Sequence, residues 1–225
     1  MNRRMNLLAS LTRHDILNQL TVLLRSLELA GTAESTTELA WFLGRSREAA
    51  WAIQRLAEFT RDYQEIGQGL PRWVSVTALV RRAADSFGGR SVTIEIPNAE
   101  WEIRADPLIE QVFYNLIENA LRHGGTVGRV RFSVETQPAG GLMIVCEDDG
   151  TGVPINEKER IFERGYGRNT GLGLYLSAEI LATTGMTIAE TGRPGIGARF
   201  EIRVPYGTCR IVRGPGREEL LMHNS

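Results

Sequence analysis

Apolar residues recur at helical spacing from about Met5 to Ala30, and Ile16, Leu20, Leu23, Leu27 and Ala30 follow one another in alternating steps of four and three. Gly31 to Thr37 interrupts this seam with breakers and cap formers, after which Leu39, Phe42, Ala49, Ile53, Leu56, Phe59 and Tyr63 resume a stripe of the same kind. The pattern predicts a helical hairpin whose arms are each roughly 40 Å long at 1.5 Å per residue. Two helices cannot cover their own apolar stripes, so the hairpin is expected to pair with a second copy in a dimeric four-helix bundle.

The periodicity changes after Gly67 to Arg72, a stretch with two glycines and Pro71 that reads as a linker. Val76 to Phe87 has a helical pattern, Ser91 to Ile96 alternates like a strand, and Pro107 to His123 is a strongly amphipathic helix. Strands are expected at Val130 to Val134, Leu142 to Cys146, Met186 to Thr191 and Ala198 to Val204, with a helix from about Leu172 to Thr184. This mixed order predicts an α+β chain: a hairpin over residues 1–68, an α/β sandwich over 73–205 with helices on one sheet face, and a tail, 206–225, with no functional reading.

Composition removes competing readings. The chain has 225 residues, 42% hydrophobic and 24% charged, which is the profile of a soluble globular protein with room for one ordinary domain and a smaller element. A net charge of -1, from 26 basic and 27 acidic residues spread along the chain, gives no basic tract for nucleic acid or an anionic membrane. Two cysteines, Cys146 and Cys209, are too few for a disulfide framework or zinc cluster and suit a reducing cytoplasm. No apolar run approaches the ~18 residues of a membrane span. Lys158 is the single lysine, in the polar context Asn-Glu-Lys-Glu-Arg. A P-loop needs Gly-Lys-Ser/Thr and a eukaryotic-type protein kinase needs a strand lysine, so neither phosphate site can be built here.

Candidate chemistry begins on the first helix. His14 precedes Asp15 and, one turn on, Asn18; the seam counted backward from Ile16 runs through Thr12 or Arg13, which leaves His14 beside it and facing solvent. An imidazole with one nitrogen held by a carboxylate and the other free is a competent nucleophile. Alone, this run is no more than a surface histidine. In the second domain, Asn115, Asn119 and His123 share one helical face at i, i+4 spacing, where two amides can offer oxygens to a Mg²⁺ bridging a triphosphate, or can simply be a polar outer face. Asp148-Asp149-Gly150-Thr151-Gly152 follows an apolar strand; a buried carboxylate there can accept from an adenine amino group while glycines admit the ring. Thr170-Gly171-Leu172-Gly173-Leu174 heads a helix whose free N–H groups favour phosphate. Neither glycine run fits G-x-G-x-x-G, so the dinucleotide pattern fails.

Taken together, these segments resemble the ordered boxes of sensor histidine kinases in the Bergerat-fold ATPase/kinase superfamily. An acceptor box at His14, an asparagine box at Asn115 to His123, a glycine box at Asp148 to Gly152, a phenylalanine box around Phe162 and a second glycine box at Gly171 to Gly173 occur in the family's order, and Gly195 to Phe200 is similar to its closing glycine motif. The resemblance covers about residues 5 to 205. It implies ATP and Mg²⁺ as cofactors, Asn119 as the principal metal ligand assisted by Asn115, and Asp148 as the adenine-selecting carboxylate. It also implies Arg122 near the phosphates, His123 beside the base, and Gly150, Gly152, Gly171 and Gly173 framing a mobile lid between about Thr151 and Thr170. Arg164 and Arg168 on that lid become candidates for the γ-phosphate.

The activity so implied is autophosphorylation of His14 and transfer to the receiver domain of a response regulator, with a possible phosphatase activity toward it. Hydrolytic members of the superfamily, of the gyrase, Hsp90 and MutL types, resemble one another in placing a glutamate one turn before the metal asparagine. Here that position is Asn115, so the hydrolytic base is missing and His14 is the available nucleophile. Two other readings stand beside this one: an anti-sigma-type serine kinase, which would lack the hairpin, and an ATP-gated docking module without turnover. The acceptor box matches the commonest family pattern through Asp15 and Asn18 and a second subgroup through Gln19, so the phosphatase residue is Asn18 or Gln19, with Asn18 favoured by the later boxes.

Overall fold

A computed structural model of the chain describes residues 2–89, 91–98, 100–138, 140–167 and 171–212. The chain divides into two compact units, Met1–Glu65 with Gly165–Leu172 and Ile66–Arg164 with Gly173–Ser225.

In the first unit, α1 (Asn2–Ala30) and α2 (Thr36–Glu65) form the two arms of a hairpin. The chain leaves α1 through Gly31, whose N–H donates to Leu27 and Glu28 carbonyls at 3.2 and 3.1 Å. It enters α2 through Ser35, whose Oγ accepts from Glu38 N at 3.1 Å while the Glu38 carboxylate accepts from Glu34 N at 3.1 Å. Thr12 and Ser26 of α1 and Ser46, Ala49, Leu56 and Phe59 of α2 are buried. Small and hydroxyl side chains at these positions keep the two helices close. Ser46 satisfies its hydroxyl on the Phe42 carbonyl at 2.9 Å.

The single seam expected on α1 splits in two. Ile16, Leu23 and Ala30 are partly covered, whereas Leu20 and Leu27 join Leu17 and Leu24 in an exposed stripe at 39–54% exposure. Steps of three and four along Leu17, Leu20, Leu24 and Leu27 place these side chains on one flank of the helix. On α2, Leu39 and Leu43 are likewise exposed.

The second unit opens with β1 (Arg72–Ser75), which runs directly into α3 (Val76–Asp85) because Ser75 Oγ caps the helix by accepting from Ala78 N at 3.3 Å. There follow β2 (Thr93–Glu95), β3 (Trp101–Ala105), α4 (Ile109–His123), β4 (Arg129–Thr136) and β5 (Leu142–Asp148). Two short 3₁₀ turns at Ile155–Glu157 and Arg160–Phe162 lead to α5 (Gly173–Ala182), β6 (Thr187–Glu190), β7 (Arg199–Val204) and β8 (Cys209–Ile211).

The larger sheet has the order β2-β4-β5-β7-β6, with β2 parallel to β4 and the other pairs antiparallel. Its register puts Phe132, Cys146 and Phe200 across from one another, and likewise Val134, Ile144 and Ile202. By strand alternation this is the core face, where Phe132 meets Phe113 of α4 at a ring separation of 5.9 Å. α4 packs against both α3 and α5. The opposite face carries Arg131, Glu147, Arg199 and Glu201, joined by Arg199–Glu147 at 2.6 Å, Arg199–Glu201 at 2.9 Å and Arg131–Glu147 at 3.1 Å. Helices on one sheet face are what the sequence predicted.

A second sheet, β1-β3-β8, was not anticipated from the pattern. β8 comes from the stretch after Tyr206 for which no element was expected, and it pairs Ile211 with Trp101 and Cys209 with Ile103. Its three residues are too few for a period to register. Among the described residues no helix is long and apolar enough to cross a membrane.

Candidate active site

Asp148 ends β5 on the same side as Leu142, Ile144 and Cys146, so strand alternation turns its carboxylate toward the core. Oδ1 accepts from Gly150 N at 2.9 Å and Ala198 N at 3.1 Å, and no donor among the described residues reaches Oδ2. Burial, opposed by those two N–H bonds, pushes the carboxyl above its ordinary range. Two glycines let backbone close around it. A Cβ on Gly150 would stand 2.5 Å from Gly124 O and 2.7 Å from its Cα, and one on Gly197, at φ +150, would overlap the Asp148 carbonyl oxygen. Gly152 continues this turn, and the neighbouring Thr151 N–H donates to Gly124 O at 2.9 Å. The first glycine box is thereby pinned to the end of α4.

On α4 the two asparagines part ways. Asn119 has no hydrogen bond to a described residue at either end of its carboxamide, and its Nδ2 is buried. Asn115 is buried and both of its N–H groups are used: Nδ2 donates to Gly173 O at 2.9 Å and Ser177 Oγ at 3.1 Å. Oδ1 accepts from Gln111 Nε2 at 3.1 Å, which leaves it a second lone pair. Arg122, exposed at the end of α4, is paired with Glu118 at 2.7 Å, and His123 is exposed beside it.

Within the expected lid two side chains are anchored. Lys158 Nζ lies 2.5 Å from both Glu190 Oε2 and Gly192 O, and Phe162 meets Phe200 edge to face at 6.4 Å. Lys158 and Phe162 thereby tie this segment to β6 and β7. Arg164 is half-buried. In the first unit, Gly165 N donates to Gly171 O at 3.2 Å, and Leu172 is buried. Gly173 and Leu174 open α5. Arg168 and Thr170 lie outside the described residues.

His14, on α1 of the first unit, has a side chain 73% exposed. Its Nδ1 is 3.4 Å from Asp15 Oδ1 and 3.2 Å from Asn18 Nδ2, and no described residue hydrogen-bonds Nε2. The helical turn thus assembles the acceptor, the carboxylate and the amide on one surface, with Asn18 exposed and Gln19 half-buried.

A half-buried carboxylate with one open oxygen and an unpaired amide one turn from a glycine turn are parts of an adenine nucleotide site. Residues 105–208 match the family model of histidine kinase-, DNA gyrase B-, and HSP90-like ATPases. Over 121 residues the chain is 38% identical to the alginate biosynthesis sensor protein KinB of Pseudomonas aeruginosa, covering 51% of this chain and 20% of that protein. Over 189 residues it is 33% identical to the adaptive-response sensory kinase SasA of Parasynechococcus marenigrum (strain WH8102), covering 74% and 48%. Residues 105–208 belong to that ATPase family, and the chain is similar to sensor histidine kinases.

Those residues form a Bergerat-type ATP-binding domain. The crystal structure of full-length ShkA in complex with AMPPNP matches 90% of this chain and 46% of its own at a TM-score of 0.61 and 22% identity, a likeness of fold. The chain spans less than half the length of the curated relatives named here.

The site's donors fit a hard cation held chiefly by nucleotide. Among the described residues no cluster of His, Cys, Asp or Glu could hold a metal, and Asn119 is the one asparagine of the pair without a partner. Ser177 escaped the sequence reading, although its place four residues after Gly173 on the expected helix was the available signal.

Proposed function

We propose that this chain transfers the γ-phosphoryl group of ATP to His14 and then to an aspartate on the receiver domain of a response regulator, acting in the cytoplasm as a homodimer joined through the hairpin. The observation that carries the reading is the acceptor surface of α1: an exposed imidazole whose Nδ1 is flanked by Asp15 and Asn18 and whose Nε2 has no described partner. Asp15 accepts from Nδ1–H, which leaves the Nε2 lone pair to attack phosphorus. The N–P bond forms, the bond to the ADP oxygen breaks, and the imidazole sheds its Nδ1 proton toward Asp15.

On the donor side, Asp148 Oδ2 would accept from the adenine amino group and Asn119 would hold Mg²⁺ through Oδ1. Mg²⁺ offsets charge on the phosphates when bound. Arg122, Arg164 and Arg168 are the candidate phosphate contacts, with Arg122 leaving Glu118 to reach them, and His123 flanks the base. Asn18, which shares the exposed surface of His14, is the residue we assign to phosphatase activity, while Gln19 is partly covered. The exposed leucine stripe of α1, with Leu39 and Leu43 of α2, supports pairing with a second copy.

The test is labelling with γ-labelled ATP. The parent should acquire an acid-labile, base-stable label that His14→Gln and Asn119→Ala do not. Acid-stable label on a partner would favour the serine-kinase reading, and absence of any label the docking module.

A further inference from the structure

Ser177 has no role in the mechanism above, yet its hydroxyl is fully buried and doubly bonded. Oγ accepts from Asn115 Nδ2 at 3.1 Å and donates to Gly173 O at 2.9 Å. Gly173 O in turn accepts from Asn115 Nδ2 at 2.9 Å, so both N–H bonds of that amide end on α5, at its first residue and one turn on. Gln111 closes the chain from the turn before by donating to Asn115 Oδ1 at 3.1 Å. A serine bonding back to the carbonyl four residues earlier gains little for a helix and often bends it. Here it presents a second acceptor to an asparagine on another helix.

We infer that Ser177 and Asn115 form one clamp that positions the N-terminal turn of α5 against the α4 face bearing Asn119, and so sets the phosphate end of the nucleotide site. The inference rests on the ATP-site reading and deepens it. The first N–H groups of α5 have no carbonyl within the helix to bond, and Asn119 Nδ2 one turn along α4 is buried without a partner. Both sets of donors serve phosphate oxygens only if the two helices keep their spacing. Asn115, with both N–H groups of its amide spent on α5, acts as a positioning residue. The adenine end, built on Asp148, Gly150 and Ala198, does not involve the clamp.

The experiment compares ATP and adenosine affinities, with and without Mg²⁺, for the whole chain and for Ser177→Ala, Asn115→Ala, the double variant and Ser177→Cys. Ser177→Ala strands one buried N–H, and about a tenfold loss of ATP affinity is expected with adenosine affinity unchanged. Asn115→Ala should show the same split with or without Mg²⁺, the double variant should be no worse than Asn115→Ala, and Ser177→Cys should recover part of the loss. Parallel loss of ATP and adenosine in Ser177→Ala, or no change in either, overturns the clamp. A loss in Asn115→Ala that appears only with Mg²⁺ makes Asn115 a metal ligand and overturns it too. A parent chain that binds neither ATP nor adenosine overturns the nucleotide-site reading itself, and the clamp with it.

Discussion

Lys158, the chain's single lysine, joins the turn after the first glycine box to the β6–β7 connection, and breaking that joint has a calculable cost. Its Nζ stands 2.5 Å from Glu190 Oε2, with the lysine side chain 19% exposed and the glutamate side chain 0%. Glu190 Oε1 meanwhile accepts from Gly192 N at 2.9 Å and Arg199 N at 3.1 Å, so the carboxylate organises the loop from which Gly197 and Ala198 approach Asp148. Lys158→Met keeps most of the side-chain length and strands the charge. Removing one member of a buried pair costs about 3 to 5 kcal/mol, and the partial exposure of Lys158 points to the lower end. At roughly 2–4 °C per kcal/mol for a domain of this size, ~3 kcal/mol lowers the melting transition of the second unit by ~6–12 °C.

Glu190→Gln retains the Oε1 acceptor and removes the charge. The double variant Lys158→Met, Glu190→Gln should therefore recover about 2 kcal/mol relative to the sum of the singles. Calorimetry of the four proteins at one pH, with the transitions of the two units separated, reads all of this. A Lys158→Met protein that melts within about 2 °C of the parent, or a double variant as unstable as the sum of its parts, would refute the reasoning.

Asp148→Asn keeps the Oδ1 acceptor for Gly150 and Ala198 but replaces the open oxygen, so adenosine binding should be lost while the melting temperature stays at or above the parent's. The sign follows from burial: a carboxyl raised above its ordinary range is costly to the fold when ionised, and that cost vanishes as pH falls through the raised value. For the same reason, adenosine affinity of the parent should decline on acidification before ordinary carboxylates titrate, which a pH series of binding isotherms would check. Leu24→Glu puts a charge in the exposed stripe, and sedimentation should show a dimer shifting toward monomer; an unmoved dimer would place the interface elsewhere. Asn18→Ala should spare labelling of His14 and slow loss of label from the regulator, whereas the same defect in Gln19→Ala with a normal Asn18→Ala would exchange their roles.

Much of this protein was legible along the chain because its long elements have strong periods. The helices α1, α2 and α4 and the central strands β4, β5 and β7 lie within a few residues of where alternation and helical spacing predicted them. The strands β1 and β8 were missed because three or four residues carry little alternation and their pairing partner is remote in sequence, whereas β3 was overlooked although its Trp-Glu-Ile-Arg-Ala alternates apolar and polar residues. Spacing on one helix also put His14, Asp15 and Asn18 on one surface, since i, i+4 geometry needs no tertiary partner.

What the sequence by itself determined was therefore local: the hairpin, the sheet's strands, and a set of amides, carboxylates and glycines whose order resembles one family. Only the tertiary structure decided how those groups are used. Asn115 and Asn119 are the same residue type on the same helical face, yet one is consumed by Gly173 and Ser177 of another helix and the other is left unpaired. Lys158, read from the sequence as a lone polar side chain, finds a buried glutamate 32 positions away. Hydrogen-bond capacity belongs to the residue, but whether it is already spent depends on neighbours that the fold brings from elsewhere in the chain.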